Sequence, residues 1–391
     1  MVHQCYNASM AIRGYWLRLV EKAWRDRTIV WLSGVRRVGK TCLSKSLPHV
    51  RYFDCEIPRV RTEMEDPERF LSRLGRGRFV LDEIHRLSNP SQLLKIAADH
   101  FPGVRILATG SSTLGASRKF RDTLTGRKAS VWLTPITLGD MRVFRRPGLP
   151  HRMIFGGLPP LFLQSRLRED FFREWMDDYW ARDIEELFRI QQKSPFGKFV
   201  ELLMHQSGAI FEATSFARPC EVNRMTIMNY LSVLDGTHVA HILRPFSSRR
   251  AIEIVAAPKV YGFDTGFVSY FRGWTGITPE NRGALWEHLV LNEINAAVQG
   301  RQVSYWRDKH RNEVDFVIPR HGRPPIAMEC KWSAKDFNPG GMLAFARAYP
   351  GSVLAVIASD IKRPAKLRFG RNAIAVLPAS GIPPLVTQGR T

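Results

Sequence analysis

The stretch that decides the fold is residues 28–47, TIVWLSGVRRVGKTCLSKSL. TIVWLSG reads as an apolar strand, and GKTCLSKSL opens a helix that Pro48 ends. Between them, Gly34-Val35-Arg36-Arg37-Val38-Gly39-Lys40-Thr41 matches GxxxxGK[ST] without deviation, in the strand–loop–helix context that the pattern requires. The glycines let consecutive backbone N–H groups converge on phosphates, and the helix N-terminus adds positive potential. A lysine here reaches the β- and γ-phosphates, and the threonine hydroxyl ligates Mg²⁺. Gly34, Val35, Arg36, Arg37, Val38, Gly39, Lys40, Thr41 and Cys42 are therefore the expected ATP-binding residues. Lys40 is also the expected catalytic cation and Thr41 a metal ligand.

Outward from this loop, residues 1 to about 150 alternate strands (VRYFDCE, RFVLDE, VRILATGSS) with helices (EDPERFLSRL, SQLLKIAADHF). Asp66 is the expected N-cap and Pro67 the first residue of the EDPERFLSRL helix. Such alternation predicts a parallel sheet covered on both faces. Asp82-Glu83 follows the strand FVL. Asp82 is expected to bind Mg²⁺ through water and Glu83 to polarise the attacking water; the alternative is an acidic pair that caps a helix. Ser111 is placed to sense the γ-phosphate, or else lies in a Ser-rich turn. Arg127 is either an arginine finger reaching a neighbour's nucleotide in a homo-oligomer or a surface charge.

The 391 residues predict two or three domains, and 58 Lys+Arg against 36 Asp+Glu give a net charge of +22. This excess favours a polyanionic partner, nucleic acid first, with DNA preferred. The bland alternative is a solvated basic surface. No apolar run approaches the roughly 18 residues of a membrane helix. MVHQCYNASM lacks the features of a signal peptide, and five scattered cysteines form neither a disulfide framework nor a zinc site. A cytoplasmic protein is expected.

GVRRVGKT, VLDEIHRL, ILATGSS and LTGRKASVWLTPITLGD, in this order, resemble a large prokaryotic group of AAA-type ATPases. The similarity continues through FGGLPP, YWARDIEELF, PKVYGFDTG, GALWEHLVLNEI and YWRDKHRNEVDFVI, nearly the whole chain. It implies an α/β architecture in three parts. Residues 1–150 would be the P-loop core, 151–277 a helical lid and winged helix, and 278–391 a restriction-endonuclease-like domain.

In the middle part, FEATSFARPCEVNRMTIMNYLSVLDGTHVAHIL fits helix–turn–helix spacing. One helix ends near Pro219 and the next starts near Asn223, with Met225, Met228, Tyr230, Leu231 and Leu234 on its apolar faces. HILRPFSSRRAIEIVAAPKVY is the candidate wing, and Arg224, Arg249 and Arg250 are candidate phosphate contacts. A protein-binding role is the alternative. The resemblance also suggests that Arg182 faces the nucleotide, against an intrahelical pair with Glu185 or Glu186.

In the last part, alternation on EVDFVI sets Val314, Phe316 and Ile318 on one face and Asp315 on the other. Glu329 and Lys331 share a face of IAMECKW. LWEHLVLNEINAAV reads as an amphipathic helix carrying Glu287 in line with Leu291, Ile294 and Val298. The set resembles a PD-(D/E)XK nuclease core. That resemblance implies Asp315, Glu329 and Glu287 around Mg²⁺ or Mn²⁺, with Asp315, Glu329 and Lys331 catalytic. The structural alternative is a salt-bridged sheet face that serves an interaction. The tail from Pro378 is expected to be loose. The expected whole is an ATPase that couples Mg-ATP turnover to nucleic-acid engagement, with a metal-dependent nuclease site. The alternative is a nucleotide-dependent scaffold that binds without cutting. A small-molecule kinase fits neither the downstream domains nor the charge.

Overall fold

The structure is a computed structural model. It describes residues 11–110, 123–144, 148–185, 190, 192–247 and 257–387. Helix α1 (Gly14–Asp26) leads into a five-stranded parallel sheet of β1 (Ile29–Ser33), β2 (Arg51–Asp54), β3 (Gly77–Asp82), β4 (Val104–Thr109) and β5 (Lys128–Trp132). The spatial order is β2-β3-β4-β1-β5. All five residues of β1 are buried, as a central parallel strand requires. Alternate side chains serve opposite faces. Ile29 and Trp31 join α3 (Pro67–Leu74) and α4 (Pro90–His100), while Val30 and Leu32 join α1 and the helices downstream of residue 158. The Asp66 carboxylate caps α3 from Pro67, as the sequence predicts. The loop to α2 (Lys40–Lys45) leaves β1 beside β4, so the carboxyl ends of β1, β4 and β3 share one edge. This is the crevice where open α/β sheets take ligands.

The lid helix α5 (Glu169–Tyr179) runs into a π turn (Trp180–Ile184), followed by α6 (Lys193–His205), α7 (Ala213–Ala217) and α8 (Arg224–Gly236). Phe172, Trp175, Phe199 and Leu231 share one core with Val30 and Leu32, so the middle part is packed onto the sheet. The hairpin β6 (Ala240–Pro245) and β7 (Lys259–Gly262) then joins the second sheet. β6 pairs in parallel with β8 (Ser304–Arg307). With β9 (Glu313–Arg320), β10 (Arg323–Lys331), β11 (Val353–Ala358), β12 (Ala365–Phe369) and β13 (Asn372–Leu377), the order is β12-β13-β11-β10-β9-β8-β6-β7, a mixed sheet. One sheet thus crosses residues 277 and 278.

Helix α9 (Arg282–Val298) covers one face of this sheet and α10 (Gly340–Ala348) the other. α9 is not amphipathic, because from Leu285 to Val298 every residue but the half-buried Glu287 is buried. The reason is a second neighbour. The Glu293 carboxylate accepts from Leu138 N at 2.8 Å, and Tyr15 Oη donates to Ala296 O at 3.0 Å, so the helix also packs against the first domain. The tail is not loose as far as Thr387. Ile382 and Val386 are buried in α11 (Ile382–Thr387), which lies against α9. Among the described residues no helix is long and apolar enough to cross a membrane.

Candidate functional site

Gly34 must be glycine, because a Cβ there would stand 2.5 Å from Leu133 O. Gly39, at φ 103°, caps α2 in the left-handed region. Val35 and Val38 bury their side chains in the core, so only their backbone faces the loop. Lys40 Nζ donates to Gly34 O at 2.8 Å and Val35 O at 3.2 Å. Burial pushes its pKa down, against the fields of Glu83, Asp183 and Asp82. Cys42 is exposed on the first turn of α2.

Three hydroxyls converge on Asp82. Thr41 Oγ1 donates to Oδ2 at 2.9 Å, Tyr52 Oη donates to the same oxygen at 2.5 Å, and Thr109 Oγ1 donates to Oδ1. Thr109 Oγ1 also accepts from Glu83 N at 3.2 Å, tying the two acidic residues to the end of β4. Glu83 stands at φ 54° with Oε2 3.1 Å from His85 Nδ1. Burial would raise its pKa, but the His85 hydrogen bond and the Lys40 charge outweigh burial and hold it at about 2. A group this acidic stays ionised at neutral pH. Thr41 and Asp82 are close enough to share one cation, and Mg²⁺ on a nucleotide needs only one or two protein ligands beside the phosphates. The residues present therefore fit Mg-ATP.

Ser111, Arg249, Arg250 and Glu186 lie outside the described residues. Arg127 Nε donates to Asp99 Oδ1 at 2.7 Å on the surface, within its own chain. Arg182 is exposed, whereas its neighbour Asp183 is buried and acts on Lys40. The extra residue of the π turn re-aims this segment, a feature simple helical periodicity does not anticipate. On α8, Met225 and Met228 are exposed rather than apolar-packed, beside exposed Arg224, Asn229 and Ser232. Ile227, Tyr230, Leu231, Val233 and Leu234 supply the core.

At the second site, β9 departs from strict alternation. Trp306 faces Val314 and Ser304 faces Val317, three steps on β9 against two on β8. Such a bulge re-aims a side chain. Val314 and Val317 consequently share the α10 face, while Phe316 and Ile318 join the α9 face. Asp315 stands within the field of Glu287 and accepts from Cys330 N at 2.7 Å. Lys331 Nζ is 2.9 Å from Glu329 Oε1. Tyr261 Oη donates to Glu287 Oε1 at 2.5 Å, and Lys259 pairs with Glu313. Burial, then the neighbouring Glu287, raises the Asp315 pKa to about 7. Burial, then Asp315, does the same to Glu329.

The expected Asp315, Glu329 and Lys331 come together. Glu287 lies within the field of Asp315 and accepts from Tyr261, and among the described residues no three His, Cys, Asp or Glu side chains are set to hold a metal ion. Lys259 and Tyr261 escape a reading of the C-terminal segment because they arrive on β7, from a different part of the chain. Period two on KVYG, which puts both on one face, is the signal that could have found them. Tyr52 and Thr109 are missed for a similar reason, since each arrives on a separate strand and nothing local marks it.

Residues 26–141 match an AAA domain, 146–278 a domain of unknown function (DUF8612) and 282–367 another (DUF4143). The uncharacterized protein Rv2008c of Mycobacterium tuberculosis is 30% identical over 318 residues, which are 78% of this chain and 70% of that protein. The chain belongs to its family. Mb2031c of Mycobacterium bovis, also uncharacterized, matches with the same figures. Thus residues 26–141 of this family member are a nucleotide-binding, AAA-type P-loop domain. Among solved structures, the Walker-type ATPase PABY2304 of Pyrococcus abyssi is 16% identical with a TM-score of 0.41, covering 66% of this chain and 95% of that one. The Pyrococcus horikoshii protein PH0952, a signal transduction ATPase with a tetratricopeptide repeat sensor, is 11% identical with a TM-score of 0.28. That match covers 71% of this chain and 46% of that one.

Proposed function

We propose that this protein hydrolyses ATP with Mg²⁺ and couples turnover to contact with nucleic acid, DNA first. The observation that carries the hydrolytic reading is the convergence of Thr41, Tyr52 and Thr109 on Asp82, with Glu83 ionised beside it. Bound Mg²⁺ would neutralise charge on the phosphates. Thr41 and Asp82 would hold that ion, Lys40 would turn from the loop carbonyls to the phosphates, and the ionised Glu83 would orient and polarise the attacking water. The test is Mg²⁺-dependent release of phosphate from ATP by the full chain; turnover as fast in Lys40→Ala as in wild type would falsify the assignment.

The nucleic-acid reading rests on the net charge of +22 and on the exposed face of α8 with Arg224, Asn229 and Ser232, followed by the β6–β7 hairpin as a wing. Binding to duplex DNA should weaken steeply with salt and fall in Arg224→Ala. A salt-independent affinity would remove the reading.

For the second site, the reading favoured by its lysine-paired carboxylates is a binding domain that does not cut. A metal-dependent nuclease is the other reading, supported by Asp315, Glu329 and Lys331 standing together. Two carboxylates can hold Mg²⁺ or Mn²⁺ when substrate phosphate completes the shell. Metal-dependent cleavage of DNA or RNA, lost in both Asp315→Ala and Lys331→Ala, would decide for the nuclease. The absence of cleavage together with retained binding would decide for the non-cutting domain.

A further inference from the structure

The variable positions of the phosphate-binding loop are gripped by the lid. Arg36 Nε lies 3.4 Å from Asp178 Oδ2 and its Nη1 3.7 Å from Asp183 Oδ2. Arg37 Nη2 donates to the same Asp178 oxygen at 2.8 Å, and its Nη1 lies 3.7 Å from Glu174 Oε2. Trp175 Nε1 donates to Arg36 O at 3.2 Å, and the Arg37 guanidinium sits 5.3 Å from the centre of the Phe171 ring. Positions 171, 174, 175 and 178 recur at helical spacing, so one face of α5 lies along the loop. Beyond Tyr179 the π turn brings Asp183 in as well, buried. Lys40, between the two, is satisfied by loop carbonyls and lies within the field of Asp183.

Every cation that this loop offers to an anion therefore has a protein partner. A guanidinium pairs with phosphate as well as with carboxylate, and it does so by the same forked geometry. A nucleoside triphosphate brings several negative charges to Lys40, and so toward Asp183, where repulsion is strengthened by the poorly solvated surroundings. We propose that Asp178 and Asp183 form an electrostatic latch that holds the lid on the loop and is loosened when nucleotide phosphates take over its cations. This rests on the nucleotide site proposed above and adds to it a means by which occupancy of the loop reaches the rest of the chain. Phe172 and Trp175 of α5 share a core with α6 and α8, so a loosened α5 is felt there.

The test uses the full chain and a fluorescent ATP analogue with Mg²⁺, in wild type, Asp178→Asn, Asp183→Asn, Glu174→Gln and Lys40→Ala. Asp178→Asn and Asp183→Asn should each tighten binding about three- to tenfold, because the first removes the charge-assisted pair with Arg37 and the second removes a buried negative charge beside Arg36 and Lys40. Glu174→Gln should change affinity less, since Glu174 is 63% exposed and 3.7 Å from its partner. Hydrogen exchange of the amides at 171–184 should rise when nucleotide binds wild type and should already be high in Asp178→Asn without it. Asp178 is a third exposed, so this variant keeps the test open if Asp183→Asn does not fold. Unchanged or weaker binding in Asp178→Asn, or exchange that nucleotide leaves unmoved, overturns the latch while Lys40→Ala still binds more weakly than wild type. A wild-type chain that binds no nucleotide overturns the site itself, and the latch with it.

Discussion

The nucleotide site and the second site each set two carboxylates side by side in partly buried ground, yet Glu83 in the first and the two carboxylates of the second hold their protons in opposite ways. Glu83 is held at about 2, whereas Asp315 and Glu329 rise to about 7. Burial opposes ionisation at both. The difference lies in the company each carboxylate keeps. Around Asp82 and Glu83 stand three hydroxyls, His85 and Lys40. Around Asp315 and Glu329 stand further carboxylates, with Lys259 bound to Glu313 and Lys331 to Glu329. Glu83 is prepared to act as an anion at neutral pH, and the second pair is short of positive charge.

The largest effect that would break this contrast is at the lysine. Lys40→Ala should lower ATP turnover by about 10²–10³-fold, the scale of losing one donor aimed at developing charge. Steady-state phosphate release measures it. Next, Glu83→Gln should lower kcat by about 10²–10⁴-fold while leaving nucleotide affinity intact. A comparable loss of affinity would move Glu83 from a residue that polarises the water to a binding residue.

At the second site the sign reverses. The folded chain keeps protons on Asp315 and Glu329 between the ordinary carboxylate range and about pH 7, whereas the unfolded chain has released them. Their contribution to stability is complete below that range and is lost as pH rises through about 7. Asp315→Asn should flatten this slope and stabilise the protein at pH 8 by about 1–2 kcal/mol, read from denaturant melts at pH 5 and pH 8. A wild-type profile that rises over the same interval would mean that the two sites are electrostatically alike. The smallest expected effect is Arg127→Ala, which breaks a surface pair with Asp99 and should leave the melting temperature unchanged. A fall in turnover without a fall in stability would show Arg127 acting on another copy's nucleotide.

These two sites also differ in how far they could be read from the sequence. The loop residues Gly34, Lys40 and Thr41 are contiguous, and their geometry is set by local backbone, so the motif carried both the fold and the position of the site. Asp82 and Glu83 follow from the end of a strand. The hydroxyls that hold Asp82 come from β2 and β4, and nothing local marks Tyr52 or Thr109. At the second site Asp315, Glu329 and Lys331 were legible as a set, but the face of Asp315 was argued from an alternation that the bulge in β9 interrupts. Lys259 and Tyr261 depend on a long-range strand pairing, and α9 looked one-sided because its second neighbour is the other domain.

The pairing of β6 with β8 has a consequence for the life of the chain. A fragment that began at residue 278 would leave β8 as an uncovered edge, a row of backbone donors and acceptors ready to recruit a strand from another molecule. The same holds for a chain still emerging from the ribosome in reverse: β6 ends at Pro245 and its neighbour β8 begins 59 residues later at Ser304, so about three to twelve seconds pass at ordinary elongation rates before the two can pair. The hairpin must wait in a form that does not pair elsewhere.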